Sequence, residues 1–246
     1  MKVGFYASCL VDQFRPSTGL ASVEVLQRCG CEVVFDQRQT CCGQPALNSG
    51  HRSEAETVCR RTIDLLHQQL EGDGCEAIVC PSGSCTAMLH HASQLLEGPE
   101  KERAAFVASR THELSAFLVD VLGTEDVGAS WAGTVSWHDA CHGLRELGIR
   151  DQPRSLLAHV RGLHVIEARG CDRCCGFGGT FSSSLPTISV AMADEKIDEL
   201  ESLSIDAIAS SDASCLMQLE GRLRERGSRI RGIHIAELLA SQDKIS

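Results

Sequence analysis

Apolar and polar side chains alternate from Lys2 to Ser8, which predicts a first strand, and helical spacing from Thr18 to Arg28 predicts the helix behind it. Glu32 to Asp36 reads as a second strand, and His51 to Leu70 as a long amphipathic helix with Val58, Ile63, Leu65 and Leu66 among its apolar positions. Ala77 to Val79 is a short buried strand that ends at Pro81-Ser82-Gly83-Ser84, with a helix from about Cys85. Glu100 to Leu122 is predicted to be helical and to link two halves. The order then repeats: strands at Thr134 to His138 and His164 to Glu167, a helix from Ile188 to Leu203, a strand at Ala207 to Ala209, and two closing helices. Strands alternating with helices predict parallel α/β layers, whose ligands collect at the carboxyl ends of strands.

The repetition is also chemical. Cys9, Cys41, Cys42 and Cys85 recur as Cys141, Cys174, Cys175 and Cys215, at offsets of 132, 133, 133 and 130 residues. Around the last pair, Ala77-Ile78-Val79-Cys80-Pro81-Ser82-Gly83-Ser84-Cys85 aligns with Ala207-Ile208-Ala209-Ser210-Ser211-Asp212-Ala213-Ser214-Cys215. An internal duplication on this scale implies two similar domains facing each other, 1–122 and 123–246, rather than a solenoid of short units. All three cysteine elements of each copy follow directly on a predicted strand.

Adjacent cysteines cannot reach one point from regular structure, because their side chains diverge in both strand and helix. Cys41-Cys42 and Cys174-Cys175 therefore require a sharp bend, and Gly43 and Gly176 supply the positive φ that such a bend uses. Backbone N–H groups exposed by such loops can donate to cluster sulfides. Four thiolates per copy are the complement of an iron–sulfur cluster. The expected assignment is two clusters of the [4Fe–4S] type, one on Cys9, Cys41, Cys42 and Cys85 and the other on Cys141, Cys174, Cys175 and Cys215. A cysteine-only zinc site needs the same donor number, but zinc usually takes two close CxxC-type pairs, and these ligands are scattered.

Six of the 14 cysteines do not recur. Cys29, Cys31, Cys59 and Cys75 read as small buried hydrophobes. Cys80 is a spare thiol whose counterpart is Ser210, and Cys171 forms a CxxC with Cys174 that the first copy lacks. His138 and His142 bracket Cys141, either as partners of a ligand or as ligands themselves. His90 and His91 read as helix surface, and Arg222, Arg224, Arg226, Arg229 and Arg231 as a solvated stripe that could also dock an acidic partner.

Composition narrows the setting. The chain has 246 residues, 43% of them hydrophobic, and a net charge of −10, which argues against nucleic acid as a main partner. No signal peptide or apolar run of membrane-spanning length is present, so a cytoplasmic location is expected, where clustered cysteines more often mean metal than disulfide. Gly176-Phe177-Gly178-Gly179 fails the dinucleotide fingerprint, because Phe181 stands where its third glycine belongs. P-loop, HExxH, CxxCH and nucleophile-elbow motifs are all absent, so no substrate site of its own is identifiable.

The duplicated CCG arrangement resembles the cysteine-rich CCG proteins, which include a component of heterodisulfide reductase and the iron–sulfur subunits of glycolate oxidase and anaerobic glycerol-3-phosphate dehydrogenase. Above all it resembles the lactate utilization protein A family, in Pro81-Ser82-Gly83-Ser84-Cys85-Thr86-Ala87-Met88, in Trp137 to Gly148, in Cys174 to Ser182 and in Ile188 to Lys196. The resemblance runs from Lys2 to about Leu239. It implies an iron–sulfur electron-transfer subunit in the oxidation of L-lactate to pyruvate, working with lactate utilization proteins B and C. The alternatives are a catalytic heterodisulfide or thiol–disulfide reductase-type subunit and a zinc-stabilised binding module. The wider family often ends each motif in CxxC, but Ser82 and Asp212 stand in that first position here. This favours a four-cysteine [4Fe–4S] centre over a five-cysteine noncubane one. Ser184 stands where that family leads one to expect lysine.

Overall fold

The structure, a computed structural model, describes residues 1–242. Its strands are β1 (Lys2–Phe5), β2 (Glu32–Val34), β3 (Ala77–Cys80), β4 (Thr111–Glu113), β5 (Ser130–His138), β6 (Arg161–Val165), β7 (Ala207–Ser210) and β8 (Arg231–His234). They form two all-parallel four-stranded sheets, ordered β2-β1-β3-β4 and β6-β5-β7-β8. The second sheet repeats the topology of the first, as the cysteine offsets require. In each sheet the strand order reverses beside the first strand, which opens a crevice at the carboxyl edge.

The two-residue period of the strands sorts their side chains between two kinds of core. Val3 and Phe5 of β1 and Ala77 and Val79 of β3 share one apolar cluster with Val135 and Trp137 of β5 and Ala207 and Ala209 of β7. Helices Pro16–Arg28, Asp151–Ala158 and Ile235–Ala240 fill that shared layer through Leu26, Leu156, Leu157 and Leu239. The opposite faces are private. Ile78 and Cys80 pack with Ile63 and Leu66 of helix Arg52–Glu71, while Ile208 packs with Ile197 and Leu200 of helix Pro186–Glu201. Each half thus owns an outer core, and both halves own the inner one.

Polar contacts lock the same junction. The Arg28 guanidinium donates to the carbonyls of Leu239 (3.0 Å) and Ala240 (2.8 Å), at the end of helix Ile235–Ala240, and to that of Val127 (3.3 Å). Ser17 and Thr18 donate to the Glu237 carboxylate from the other side, at 2.8 and 3.0 Å.

The segment predicted as one helix from Glu100 to Leu122 is broken. Helix Gly98–Ala108 stops, β4 pairs with β3 through Ile78↔Thr111 and Cys80↔Glu113, and the chain re-enters helix at Leu114–Ala116 and a π turn at Phe117–Val121. The two closing helices are present, as Ala213–Glu225 and Ile235–Ala240, with β8 between them. β4 (Thr111-His112-Glu113) and β8 (Arg231-Gly232-Ile233-His234) are short and mostly polar, without the apolar pair Val33-Val34 that marks β2, and so leave no strand signal in the sequence. Among the described residues no helix is long and apolar enough to cross a membrane.

A core shared between halves unfolds as one unit. Leu26→Ala, in the first half, is expected to cost about 2–5 kcal/mol and to lower the unfolding midpoint seen by the fluorescence of Trp131 and Trp137, both in the second half. An unmoved tryptophan transition beside a shifted circular-dichroism one would contradict the shared core.

Candidate metal-cluster centre

Each cysteine is placed by the element that follows its strand. Cys9 opens helix Cys9–Phe14 directly after β1, with Ser8 as its N-cap. Cys85 lies in the first turn of helix Gly83–Leu95, where the Ser82 Oγ accepts its N–H at 3.3 Å. Cys215 has the same place in helix Ala213–Glu225, which Asp212 caps. Adjacent cysteines turn toward one point because Gly43 and Gly176 adopt φ of 94° and 85°. A Cβ on Gly176 would lie 2.6 Å from the Ser189 carbonyl oxygen, so that position excludes a side chain on two counts.

The result is two chains of touching thiols. In the first, Cys9 and Cys41 sulfurs are 3.7 Å apart and those of Cys42 and Cys85 3.5 Å. The thiols of Cys41 and Cys42 also interact, and Cys141–Cys174, Cys174–Cys175 and Cys175–Cys215 interact in the same order in the second. Cys42, Cys85, Cys175 and Cys215 are buried, while Cys9, Cys41, Cys141 and Cys174 are half-buried. The Gly43 and Gly176 N–H groups point at the Cys41 and Cys174 sulfurs, at 3.5 and 3.4 Å.

Charge is distributed unevenly within each tetrad. Thiol donation from Cys42 and Cys9 holds Cys41 well below the ordinary thiol range, and Cys141 and Cys175 do the same for Cys174. The donors Cys9, Cys42, Cys141 and Cys175 are pushed up, first because their protons serve that neighbour and then by burial. One thiolate per tetrad is favourable; ionising all four requires a cation among them.

Both tetrads open onto one cavity of about 300 Å³ between the halves, and all eight cysteines line it. Two glycines allow this approach: a Cβ on Gly83 would stand 3.1 Å from the Gly143 Cα of the other half. Asp212, 1% exposed, accepts from the Ser84 N–H (2.9 Å) and the Ser82 hydroxyl (3.3 Å) across the junction, and from the Ser214 N–H (3.1 Å) on its own side. The two positions where the sequence departs from CxxC are thus helix caps that bond to each other.

The remaining cysteines lie away from the cavity. Cys29 and Cys31 pack in or against the shared core, and Cys59, Cys75 and Cys80 belong to the first private core. Cys171 sits 4.0 Å from the Arg154 guanidinium, which is anchored on Asp139. No disulfide joins any of the fourteen. His142, half-buried on the cavity wall, bonds to Glu146 at 2.6 Å. Arg222 and Arg226 of the arginine stripe are engaged with Asp194, Asp198, Glu201 and Glu225 of their own chain, which leaves them to brace two helices rather than to receive a partner.

Three buried polar groups beside the tetrads escape a reading of the cysteines alone. Lys196 donates to the carbonyls of Gly170 (2.5 Å) and Cys171 (3.3 Å), tethering the loop that carries Cys174. Its burial was visible in principle, since Ser189, Ala193, Lys196, Ile197 and Leu200 fall on one helical face. Glu113 caps the helix after β4, and burial pushes its carboxyl up to about 7 against the opposing N–H groups of Ala116 and Ser115. His138 lies beneath Cys175 and Cys215; burial, with the Lys196 charge, lowers it to about 3 and keeps the ring neutral.

Comparison with known proteins shows the family and its duplication. The model of the CCG family, described as a cysteine-rich domain, matches residues 3–90 and 135–220. Lactate utilization protein A of Bacillus subtilis (strain 168) is 42% identical over 244 residues, covering 98% of this chain and 100% of that protein. Lactate utilization protein A of Anoxybacillus flavithermus (strain DSM 21510 / WK1) is 44% identical over 241 residues, covering 97% and 99%. Among solved structures, a putative Asp/Glu racemase from Yersinia pestis aligns over 98% of this chain and 96% of its own, at 12% identity and a TM-score of 0.37, too distant to carry an argument.

Two outcomes follow for the buried carboxylates. Asp212→Ala removes a helix cap and orphans the Ser84 N–H, and urea titration should show a loss of about 2–3 kcal/mol, with Asp212→Asn losing less. Glu113 binds its proton more tightly folded than unfolded, so its contribution is complete below about pH 4.5 and is lost as pH rises to about 7. Wild-type stability should therefore fall across that window relative to Glu113→Gln, by up to about 3 kcal/mol. Parallel pH profiles for the two proteins would contradict this account of Glu113.

Proposed function

The chain belongs to the lactate utilization protein A family of duplicated cysteine-rich CCG proteins, and from that premise we propose that it is an iron–sulfur electron-transfer subunit of a system oxidising L-lactate to pyruvate. The observation that carries the reading is the pair of thiol tetrads lining one cavity. Each tetrad offers soft sulfur donors, a backbone N–H group aimed at a sulfur, and one thiol held well below the ordinary range by its neighbours. That donor set fits [4Fe–4S] clusters, with Cys9, Cys41, Cys42 and Cys85 as the ligands of one and Cys141, Cys174, Cys175 and Cys215 as those of the other.

Bound iron–sulfur clusters exchange electrons singly, and oxidation of lactate to pyruvate releases two electrons and two protons. The protein's own part is to hold two redox groups at one junction, keep it rigid through Asp212 and Gly83, and bury the inner sulfurs from water. The partners under this reading are lactate utilization proteins B and C, in a reducing compartment such as the cytoplasm that leaves all the thiols free.

A second reading draws on the same cavity. A space of about 300 Å³ between two tetrads could admit a small disulfide, as a thiol–disulfide or heterodisulfide reductase would require. Disulfide turnover by the isolated chain would favour it.

Iron and acid-labile sulfide, measured on protein purified without oxygen, should each approach about eight per chain. Cys42→Ser should lose about half of both and keep the other half. Zinc without sulfide would overturn the electron-transfer reading in favour of a structural metal module, and loss of both centres on the single substitution would overturn their independence.

A further inference from the structure

The duplication places Tyr6, after β1, in register with His138 at the end of β5, and the two side chains behave differently. The Tyr6 hydroxyl donates to the Thr40 carbonyl at 2.7 Å and is thereby satisfied. His138 has one ring nitrogen engaged: Nδ1 lies 3.2 Å from the Cys171 carbonyl oxygen. A carbonyl has no proton to give, so Nδ1 must carry the hydrogen. That carbonyl is itself fixed, since it also accepts from the Asp139 N–H at 3.0 Å and from Lys196 at 3.3 Å.

The tautomer so selected leaves Nε2 as a bare lone pair. His138 is 1% exposed, and its Nε2 is buried without a hydrogen-bond partner among the described residues. Leaving an acceptor buried and unmet is costly, so the position calls for an electron-pair acceptor. Two sulfurs lie beside the ring: a ring nitrogen of His138 and the sulfurs of Cys175 and Cys215 all lie within 4.8 Å of one another. An imidazole whose Nδ1–H is held by a backbone carbonyl, with its second nitrogen unmet and a pair of thiols beside the ring, has the arrangement that proteins give to metal-binding histidines.

We propose that His138 is a ligand of the second metal centre, binding through Nε2 beside Cys175 and Cys215. This assignment rests on the tetrads holding metal. With the half-buried thiols Cys141 and Cys174 the second site then offers five donors, His138 being additional to the four that a [4Fe–4S] cluster takes. The first centre has no such donor, because Tyr6 is committed to Thr40. The two sites are therefore chemically unequal despite their common descent, one held by thiolates alone and the other by thiolates and a neutral nitrogen.

The direct test is pulsed EPR on protein purified without oxygen, reduced, and carrying 15N-labelled histidine. The expected result is a nitrogen coupling of the size of a coordinated imidazole that changes with the label. It should persist in Tyr6→Phe and vanish in His138→Gln, while the first centre keeps its signal. The wild-type spectrum decides whether a histidine binds, and His142→Gln, which should keep the coupling, shows that it is not the neighbouring one. Clusters present by iron and sulfide analysis but showing no histidine coupling, or a coupling that survives His138→Gln, would overturn the assignment alone. A chain without iron or sulfide would overturn the assignment together with the cluster reading beneath it.

Discussion

The structure depends on bringing neighbouring thiols to one point, which regular backbone forbids. At Cys41-Cys42 and Cys174-Cys175 the solution is a left-handed glycine directly after the pair, which turns the chain and leaves its own N–H facing the first sulfur. The strand before each loop and the helix after it then become supports for that bend. Cys9 and Cys85, with their counterparts Cys141 and Cys215, arrive from the neighbouring strand ends, so that parallel topology and thiol convergence are one arrangement.

The second constraint is that the two bends face each other. Alternate residues of β1, β3, β5 and β7 enter a core common to both halves, and this orients the carboxyl edges of both sheets toward a single space. Gly83 against Gly143 sets how close the helix starts come. Asp212 then satisfies amide and hydroxyl donors from both halves at the floor of the cavity. A cysteine in place of Ser82 or Asp212 would add a thiol at the cost of this bond between the halves. The departure from CxxC is therefore bound up with how the halves are joined.

Much of this was legible in the residues. The central strands carry clear alternation, the duplication separates eight cysteines from six, and the glycine after each pair announces the bend. The edge strands β4 and β8 were not legible, because their short, mostly polar sequences lack the apolar pair that marks β2, and Glu100 to Leu122 consequently read as one helix. Nor could the sequence distinguish His138 from His142 on either side of Cys141. One ends a buried strand and the other stands half-buried in the helix that carries Cys141, a difference made by the chain's turn at Ala140. The single cavity and the reach of Asp212 into the other half are properties of tertiary packing, invisible to any local window.

Two separate redox centres facing one another across one space are central to the proposed function. Diffraction from crystals of the anaerobically purified chain, recorded at the iron absorption edge, tests this most directly. Two groups of anomalous peaks on opposite walls of the cavity, one against each tetrad, are the predicted result. A single group bridging all eight cysteines, or no iron at either tetrad, would contradict it.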